Sequence, residues 1–234
     1  MQLDDADKGF SFIREGPLDM RMDPDQPLNA ADIVNGWPEE ELGRIIRDYG
    51  EDRCWRRYAR CIVEARDAEP IKTTTQLADL IYDNAPREWK KRRTIHPATL
   101  VFQGLRVEVN SELDAVTTAI PQLLPYMAPK GQIMLISFHS LEDRIVKRAF
   151  LKAQEDDTLD PRFQVLTKRP LIADDEEIEA NSRSRSAKLR VLQRMEPGQE
   201  PSMGRKKNKY AHLRGKSKKS SKASGDDEGT NDDA

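Results

Sequence analysis

Asp4, Asp19 and Asp23, three of the six aspartates in the first 25 residues, lie there with Gln2 and with scattered glycine, proline and apolar side chains. Carboxylates in an ordered loop can accept hydrogen bonds from an amine or take up a proton, and equally they can satisfy the loop's own backbone donors. Both roles stay open for Asp4 and Asp19. His139 directly follows the apolar run Gln132 to Phe138. If that run is a strand, His139 sits just past its carboxyl end, where open sheets place their ligands; a structural histidine held by hydrogen bonds is the plainer alternative. His96 before Pro97 reads either as a substrate contact or as the start of a helix. Arg56, Arg57 and Arg60, with Lys90, Lys91, Arg92 and Arg93, are interleaved by Trp55, Tyr58 and Trp89. Basic groups between ring platforms are what structured RNA asks for, the charges meeting phosphates and the rings meeting unstacked bases. A solvated charged face is the competing reading. Cys54 and Cys61, seven apart in a helical pattern, are the only cysteines, and only three histidines accompany them. A buried pair of reduced thiols is expected, with no disulfide or zinc site.

The elements that would position these groups can be read from periodicity. The first 25 residues show neither helical nor strand spacing and read as an ordered loop. From Asn29, a good N-cap, to Ala85 the pattern is helical. Pro38 opens a helix over Glu39 to Tyr49 that Gly50 closes, Arg53 to Ala68 forms a second, and Thr75 caps a third carrying Leu77, Leu80 and Ile81. Phe102, Leu105, Val109, Leu113, Val116 and Ile120 recur at steps of three or four, predicting one long helix that Pro121 and Pro125 kink or end. Gln132 to Phe138 is the kind of apolar run that a strand buried on both faces shows. Ser140 and Asp143 fit a capping box for the helix that follows. Phe163 to Leu166 and Ala187 to Arg194 predict two further strands around the acidic stretch Asp174 to Glu179.

The chain has 234 residues, of which 34% are charged and 37% hydrophobic, so a core is expected but not a large one. Lys and Arg number 39 against 41 Asp and Glu, a net charge of −2 that excludes a uniformly basic nucleic-acid coat and leaves local clusters to carry any such role. No apolar run reaches membrane-span length, and the start of the chain has neither a basic nor an apolar leader pattern, so a soluble intracellular protein is expected. From Glu196 the apolar residues nearly vanish; nine Lys or Arg lie between Arg205 and Lys222, an acidic end follows, and a disordered tail is expected. There is no internal repeat, and the twelve glycines never approach a G-x-G-x-x-G arrangement. Helix, strand and helix in succession point to a layered α/β sheet. The strands found are too few to close a doubly wound nucleotide-binding sheet, so more are expected before residue 1.

Four segments are more specific. They are Gln2 to Phe12 leading into Gly16 to Asp23, His96-Pro97-Ala98-Thr99, Ser137-Phe138-His139-Ser140-Leu141-Glu142-Asp143-Arg144-Ile145-Val146-Lys147-Arg148, and Asn181-Ser182-Arg183-Ser184-Arg185-Ser186-Ala187-Lys188-Leu189-Arg190. In this order and spacing the chain, over about residues 2 to 194, closely resembles the bacterial family of S-adenosylmethionine-dependent methyltransferases that modify the N4 of a cytosine in small-subunit ribosomal RNA. The resemblance implies a partial Rossmann-like methyltransferase sheet with an all-helical inserted domain facing the RNA. It divides the chain into a motif loop (1–25), a helical insertion (26–95), the C-terminal part of the methyltransferase domain (96–195) and the charged tail (196–234). The family's glycine-rich cofactor loop and its following acidic residue map before residue 1, so that of the usual cofactor contacts only Gln2 is matched. Leu100-Val101 stands where the family usually has Arg-Thr, and Lys130-Gly131 where it has Gly-Gly.

An exocyclic cytosine amine is a poor nucleophile because its lone pair is delocalised into the ring, so the enzyme must align it with the methyl group and accept its hydrogen bonds. The base must also leave its stack, which suits a loop or single-stranded target. On these grounds Asp4, Asp19 and His139 are the candidate catalytic residues and Gln2 the candidate contact to S-adenosylmethionine. Arg56, Arg57, Arg60, Lys91, Arg92, His96 and Thr99 are the candidate substrate contacts. The expected partner is small-subunit ribosomal RNA, in a bacterial cytoplasm or in an organelle with bacterial-type ribosomes. A non-catalytic RNA-binding remnant and a helical interaction protein are the competing readings.

Overall fold

The computed structural model describes residues 5–92 and 95–202, with residues 91 and 92 described in backbone only. It is a mixed α/β structure, mostly helical, with a small antiparallel sheet. Gln2, Asp4 and the basic run from Arg205 to Lys222 lie outside the described residues.

The helical part begins at α1 (Ala30–Gly36), where Asn29 and Asp32 exchange side-chain and backbone hydrogen bonds in a capping box. Next come α2 (Glu39–Asp48), α3 (Trp55–Ala68), α4 (Thr74–Asn84) and the short α5 (Arg87–Arg92). The spacing of Leu42, Ile45 and Ile46 in α2, and of Tyr58, Cys61 and Ile62 in α3, puts those side chains on one stripe of each helix, and all six are buried together. The cap of α4 is Thr73, not Thr75: Thr73 accepts from Gln76 N, while Gln76 Oε1 accepts from Thr73 N at 3.1 Å, a reciprocal pair that Thr75 has no partner to form. Burial pushes the Cys61 thiol up to about 12, so it is an inert core thiol, and no disulfide joins it to Cys54.

The predicted long helix from Phe102 is two helices, α6 (Ala98–Asn110) and α7 (Glu112–Leu123). Ser111 between them has φ 49°, in the left-handed region, and this turns the chain from one core to another. The stripe of α6 packs with α1–α4 and the N-terminal loop, around Met20, Ile46, Ile81, Val101 and Leu105. The stripe of α7, through Ile120, packs instead with Val146, Phe150, Phe163 and Leu192. Periodicity ran through the break because a single residue at Ser111 changes direction without interrupting the apolar spacing. Pro121 lies in the last turn of α7, which ends at Leu123.

The sheet consists of β1 (Gln132–Ser137), β2 (Phe163–Val165), β3 (Leu171–Ile172) and β4 (Lys188–Arg194). Every pairing is antiparallel and every one is to β4, in the order β1-β4-β2 with β3 also on β4. β1 and β2 therefore run parallel to each other, joined through α8 (Ser140–Glu155). The acidic stretch forms α9 (Asp175–Ala180), capped by Asp174.

Only one face of β1 is covered, which corrects the reading of a strand buried on both sides. Ile133 and Leu135 pack against the core of α7 and α8, whereas the alternate residues Met134 and Ile136 are each 60% exposed, and Phe138 just beyond the strand is 54% exposed. No described element lies over this face. Such a contiguous apolar surface should bind a hydrophobic dye. Replacing Met134 and Ile136 together by threonine, which keeps β propensity, should lower dye fluorescence severalfold with little change in melting temperature. Unchanged fluorescence would show that the dye reports another surface.

Candidate functional site

The N-terminal loop is ordered because it is stitched to three helices. Leu18 N donates to Lys72 O, Thr74 N to Gly16 O, and Ala30 N to Asp19 O, which ties the loop to the starts of α4 and α1. The Asn110 amide donates to Met20 O at 2.8 Å and its oxygen accepts from Met22 N at 2.8 Å, which ties it to the end of α6. At Gly9, φ is 69° and an added Cβ would lie 2.1 Å from Pro17 O, so only glycine lets the loop cross itself there.

In this loop Asp19 is fully engaged. Its Oδ1 accepts from Arg21 N and Arg21 Nε at 3.0 and 2.9 Å, and its Oδ2 accepts from the guanidinium at 2.8 Å. The same guanidinium donates to Pro24 O and Gln26 O. The bidentate Arg21 holds the Asp19 carboxyl below the usual carboxylate range, so Asp19 stays ionised and orders residues 19–26. Asp23 is exposed and accepts from Asp25 N. Arg21 was not among the candidates; its position two residues after Asp19 was the available signal.

His139 lies at the corner where β1 turns into α8, and it caps that helix. Its Nδ1 accepts from Glu142 N at 3.4 Å, while Glu142 Oε2 accepts from Phe138 N at 2.8 Å and His139 N at 3.3 Å. The capping box is thus His139 with Glu142, not Ser140 with Asp143. Ser140 hydroxyl instead donates to Glu51, which also pairs with Arg144 at 3.2 Å, and Asp143 reaches back to Arg190 on β4. Histidine is an unusual cap, so the spacing alone favoured the serine. The His139 side chain is 9% exposed, and burial lowers its pKa against the opposing pull of Glu142. Glu112, gripped by Arg106 at 2.7 and 2.9 Å, completes a trio in which His139, Glu142 and Glu112 bring polar atoms within 4.8 Å of one another. An Nδ1 that accepts a backbone hydrogen bond leaves the proton of the neutral ring on Nε2, which then has no lone pair for a metal. In that arrangement the trio links the start of α7 to the cap of α8.

The third group is the basic and aromatic face. Arg56, Arg57 and Arg60 on α3 are all exposed. The Arg56 guanidinium stands 4.2 Å and that of Arg47 5.2 Å from the Trp55 ring centre. The Trp55 ring lies on the backbone of α2 at Gly43, where an added Cβ would come within 2.8 Å of it. Arg57 reaches toward Asn84 O at 3.5 Å, and Lys90 donates to Asp83 O at 3.3 Å, so the basic side of α3 adjoins the end of α4. Lys91 and Arg92 are on α5, but their side chains lie outside the described residues. His96 accepts from Ala98 N at 3.2 Å through Nδ1 and packs between Phe12 and Tyr82; burial lowers its pKa. Thr99 is half-buried in the first turn of α6, donating its N–H to His96 O. The structure thus joins His96 and Thr99 to the helical face and leaves Asp19 and His139 in separate hydrogen-bonded corners. Tyr82 was missed, since nothing in its spacing marks an exposed ring.

A groove of about 810 Å³ lies between α7 and α8, lined by Ile120, Pro121, Arg148, Lys152, Phe163 and Arg194 among others, and none of the candidate residues is in it. No helix among the described residues is long and apolar enough to cross a membrane.

A profile described as "MraW methylase family" matches residues 1–195. "Ribosomal RNA small subunit methyltransferase H" of Synechococcus elongatus is 50% identical over 196 residues, covering 84% of this chain and 62% of the relative. The protein of the same name from Protochlamydia amoebophila is 44% identical over 207 residues, covering 83% of this chain and 65% of the relative. The chain therefore spans a little under two thirds of the length of these curated relatives. With its motif loop, its His139 corner and its β4 strand all inside the matched region, the chain belongs to the MraW methylase family.

Proposed function

We propose that the protein acts in S-adenosylmethionine-dependent N4-methylation of a cytosine in small-subunit ribosomal RNA. The observation that carries this is the 50% identity over 196 residues to a protein named as a small-subunit ribosomal RNA methyltransferase, together with a family profile over residues 1–195, which include every motif segment described above. The β1-α8-β2 crossover, with β1 and β2 parallel on either side of β4, supports reading the sheet as part of a Rossmann-like methyltransferase sheet. The chain is read as motif loop, helical insertion, methyltransferase part and tail, with the motif loop and α6 both sharing the core of the insertion.

S-adenosylmethionine would supply the electrophilic methyl group. Gln2, the one candidate contact to it, lies outside the described residues, and the candidate catalytic side chains Asp19 and His139 are engaged within the protein. Arg21 closes the Asp19 carboxylate, His139 is tied into the cap of α8, and the 810 Å³ groove contains neither. What these residues do is hold the surface that receives the RNA: Asp19 and Arg21 fix the motif loop, the Glu112, His139 and Glu142 joint fixes the turn after β1, and the α3 to α4 face offers charge and rings. The compartment this activity requires is one with bacterial-type ribosomes.

The test is genetic and chemical. Disrupting the gene and measuring modified nucleosides in small-subunit ribosomal RNA by mass spectrometry should abolish N4-methylcytidine at its site, and re-expression should restore it. An unchanged N4-methylcytidine level would refute the assignment.

A further inference from the structure

Four aromatic rings form a column from the core of the helical unit to its surface. Phe102, 5% exposed, meets Phe12 edge to face with ring centres 4.8 Å apart; Phe12 meets His96 at 4.9 Å; and His96 stacks on Tyr82 at 5.3 Å with the two planes 16° apart. The column ends at Tyr82, in the last turn of α4, which is 42% exposed, and the Lys90 ammonium rests 4.4 Å from its ring centre. Burial lowers the pKa of His96 and so favours the uncharged ring, which stacks as a base would.

We propose that Tyr82 is the stacking platform for an unpaired base of the RNA substrate, with Lys90 as the cation that meets the adjoining phosphate. This rests on the RNA reading above and identifies a contact within it. An exposed tyrosine on a surface helix is ordinarily mobile. Here Tyr82 is backed by His96 and Phe12 down to Phe102, so its orientation is fixed before any ligand arrives and little ordering entropy is lost on binding. A nucleobase is a flat ring that adds to the end of such a column as its next member. The ammonium now on the ring is a placeholder of suitable chemistry: it is held by a cation–π contact and by one hydrogen bond to Asp83 O at 3.3 Å, both of which a phosphate can replace. Lys90 hangs on a flexible stem, so it can leave the ring face to a base while its charge moves to the backbone. The position is consistent with an RNA path, because Arg57 touches the same end of α4 through Asn84 O.

The test compares two oligonucleotides of equal length, a single-stranded cytidine-rich RNA and its abasic counterpart with the same phosphates, titrated against the full chain. The wild type should bind the base-bearing strand tighter. Tyr82→Ala should lose roughly tenfold in affinity for that strand, the scale of one base–aromatic stack, and almost nothing for the abasic one, whereas Tyr82→Phe should retain both. Lys90→Ala should weaken both strands alike. A 2-aminopurine placed in the strand should be quenched on binding the wild type and Tyr82→Phe but not Tyr82→Ala, and thermal melts would establish that the variants are folded. Equal losses on both strands, or no loss, would overturn the platform. If the no-loss result came with binding that still depends on Arg56, Arg57 and Arg60, the RNA reading would survive without it; if the wild type bound neither strand, both would fall.

Discussion

Neutralising Arg56, Arg57 and Arg60 together, as the glutamine triple variant, should reduce affinity for single-stranded ribosomal RNA on the order of a hundredfold at about 0.1 M salt. The three guanidinium groups are exposed on one helix, and among the described residues none is locked into a buried ion pair. Arg60 faces Glu39 only at 3.9 Å with both partners exposed, Arg57 makes a long hydrogen bond to a backbone carbonyl, and Arg56 lies over Trp55. Exposed pairs of this kind hold a cation weakly, so these charges can replace the counterions of phosphates. Each phosphate no longer neutralised should flatten the logarithmic salt dependence by about 0.7 for a single strand, or roughly 2 for three phosphates. Fluorescence anisotropy across a salt series measures both quantities. Stability should change little, because the substituted side chains lie outside the core. Full affinity with an unchanged slope would move the RNA-binding face elsewhere.

Asp143→Ala should destabilise the fold by about 3 to 5 kcal/mol, the usual result of stranding a buried charge. Arg190, 5% exposed on β4, donates from Nε to Asp143 Oδ1 at 2.6 Å and from its terminal nitrogen to Oδ2 at 3.1 Å, across the interface of α8 with the sheet. Removing the carboxylate leaves the guanidinium dry and uncompensated, and a loss of that size is a large part of the roughly 5 to 15 kcal/mol that holds a domain together. Replacing both residues at once, Asp143→Leu with Arg190→Met, should be far milder, since it removes the charge along with its partner. Urea denaturation of the two variants separates these outcomes, and a single-variant loss under about 1 kcal/mol would mean that water already reaches Arg190. The hydrogen bonds from Arg190 hold the Asp143 carboxyl below its ordinary value of 3.8. A depressed carboxylate contributes stability that is complete above its unfolded pKa and is lost as pH falls through the folded one, so this part of the stability should persist to about pH 4 and decline below it. His139 follows the same sign at higher pH. Its pKa is lowered from 6.5 by burial, so its contribution is complete above that value and declines as the pH falls through the folded pKa.

What the sequence determined by itself was local or additive. The three- and four-residue spacing of Leu42, Ile45 and Ile46 fixed which face of α2 would be buried, and Pro38 and Gly50 bracketed the helix, because a period of 3.6 is a property of neighbouring residues. The interleaving of arginines with Trp55 put charge and one ring on the outer side of α3 for the same reason, while Tyr58 turned into the core. The order of the four motif segments carried the family. What the tertiary structure decided depended on partners far apart in the chain. Asn110 secures Met20 from 90 residues away, and Thr74 secures Gly16 from 58, so the shape of the motif loop could not be read from the loop. Ser111 divided one apolar stripe between two cores because the spacing continues unbroken through a residue in the left-handed region. Glu51 drew Ser140 out of the cap that its own spacing suggested, and His139 took it. Tyr82 became the end of an aromatic column only when the loop delivered Phe12 against His96, for stacking is set by where backbones cross and not by which residues are adjacent.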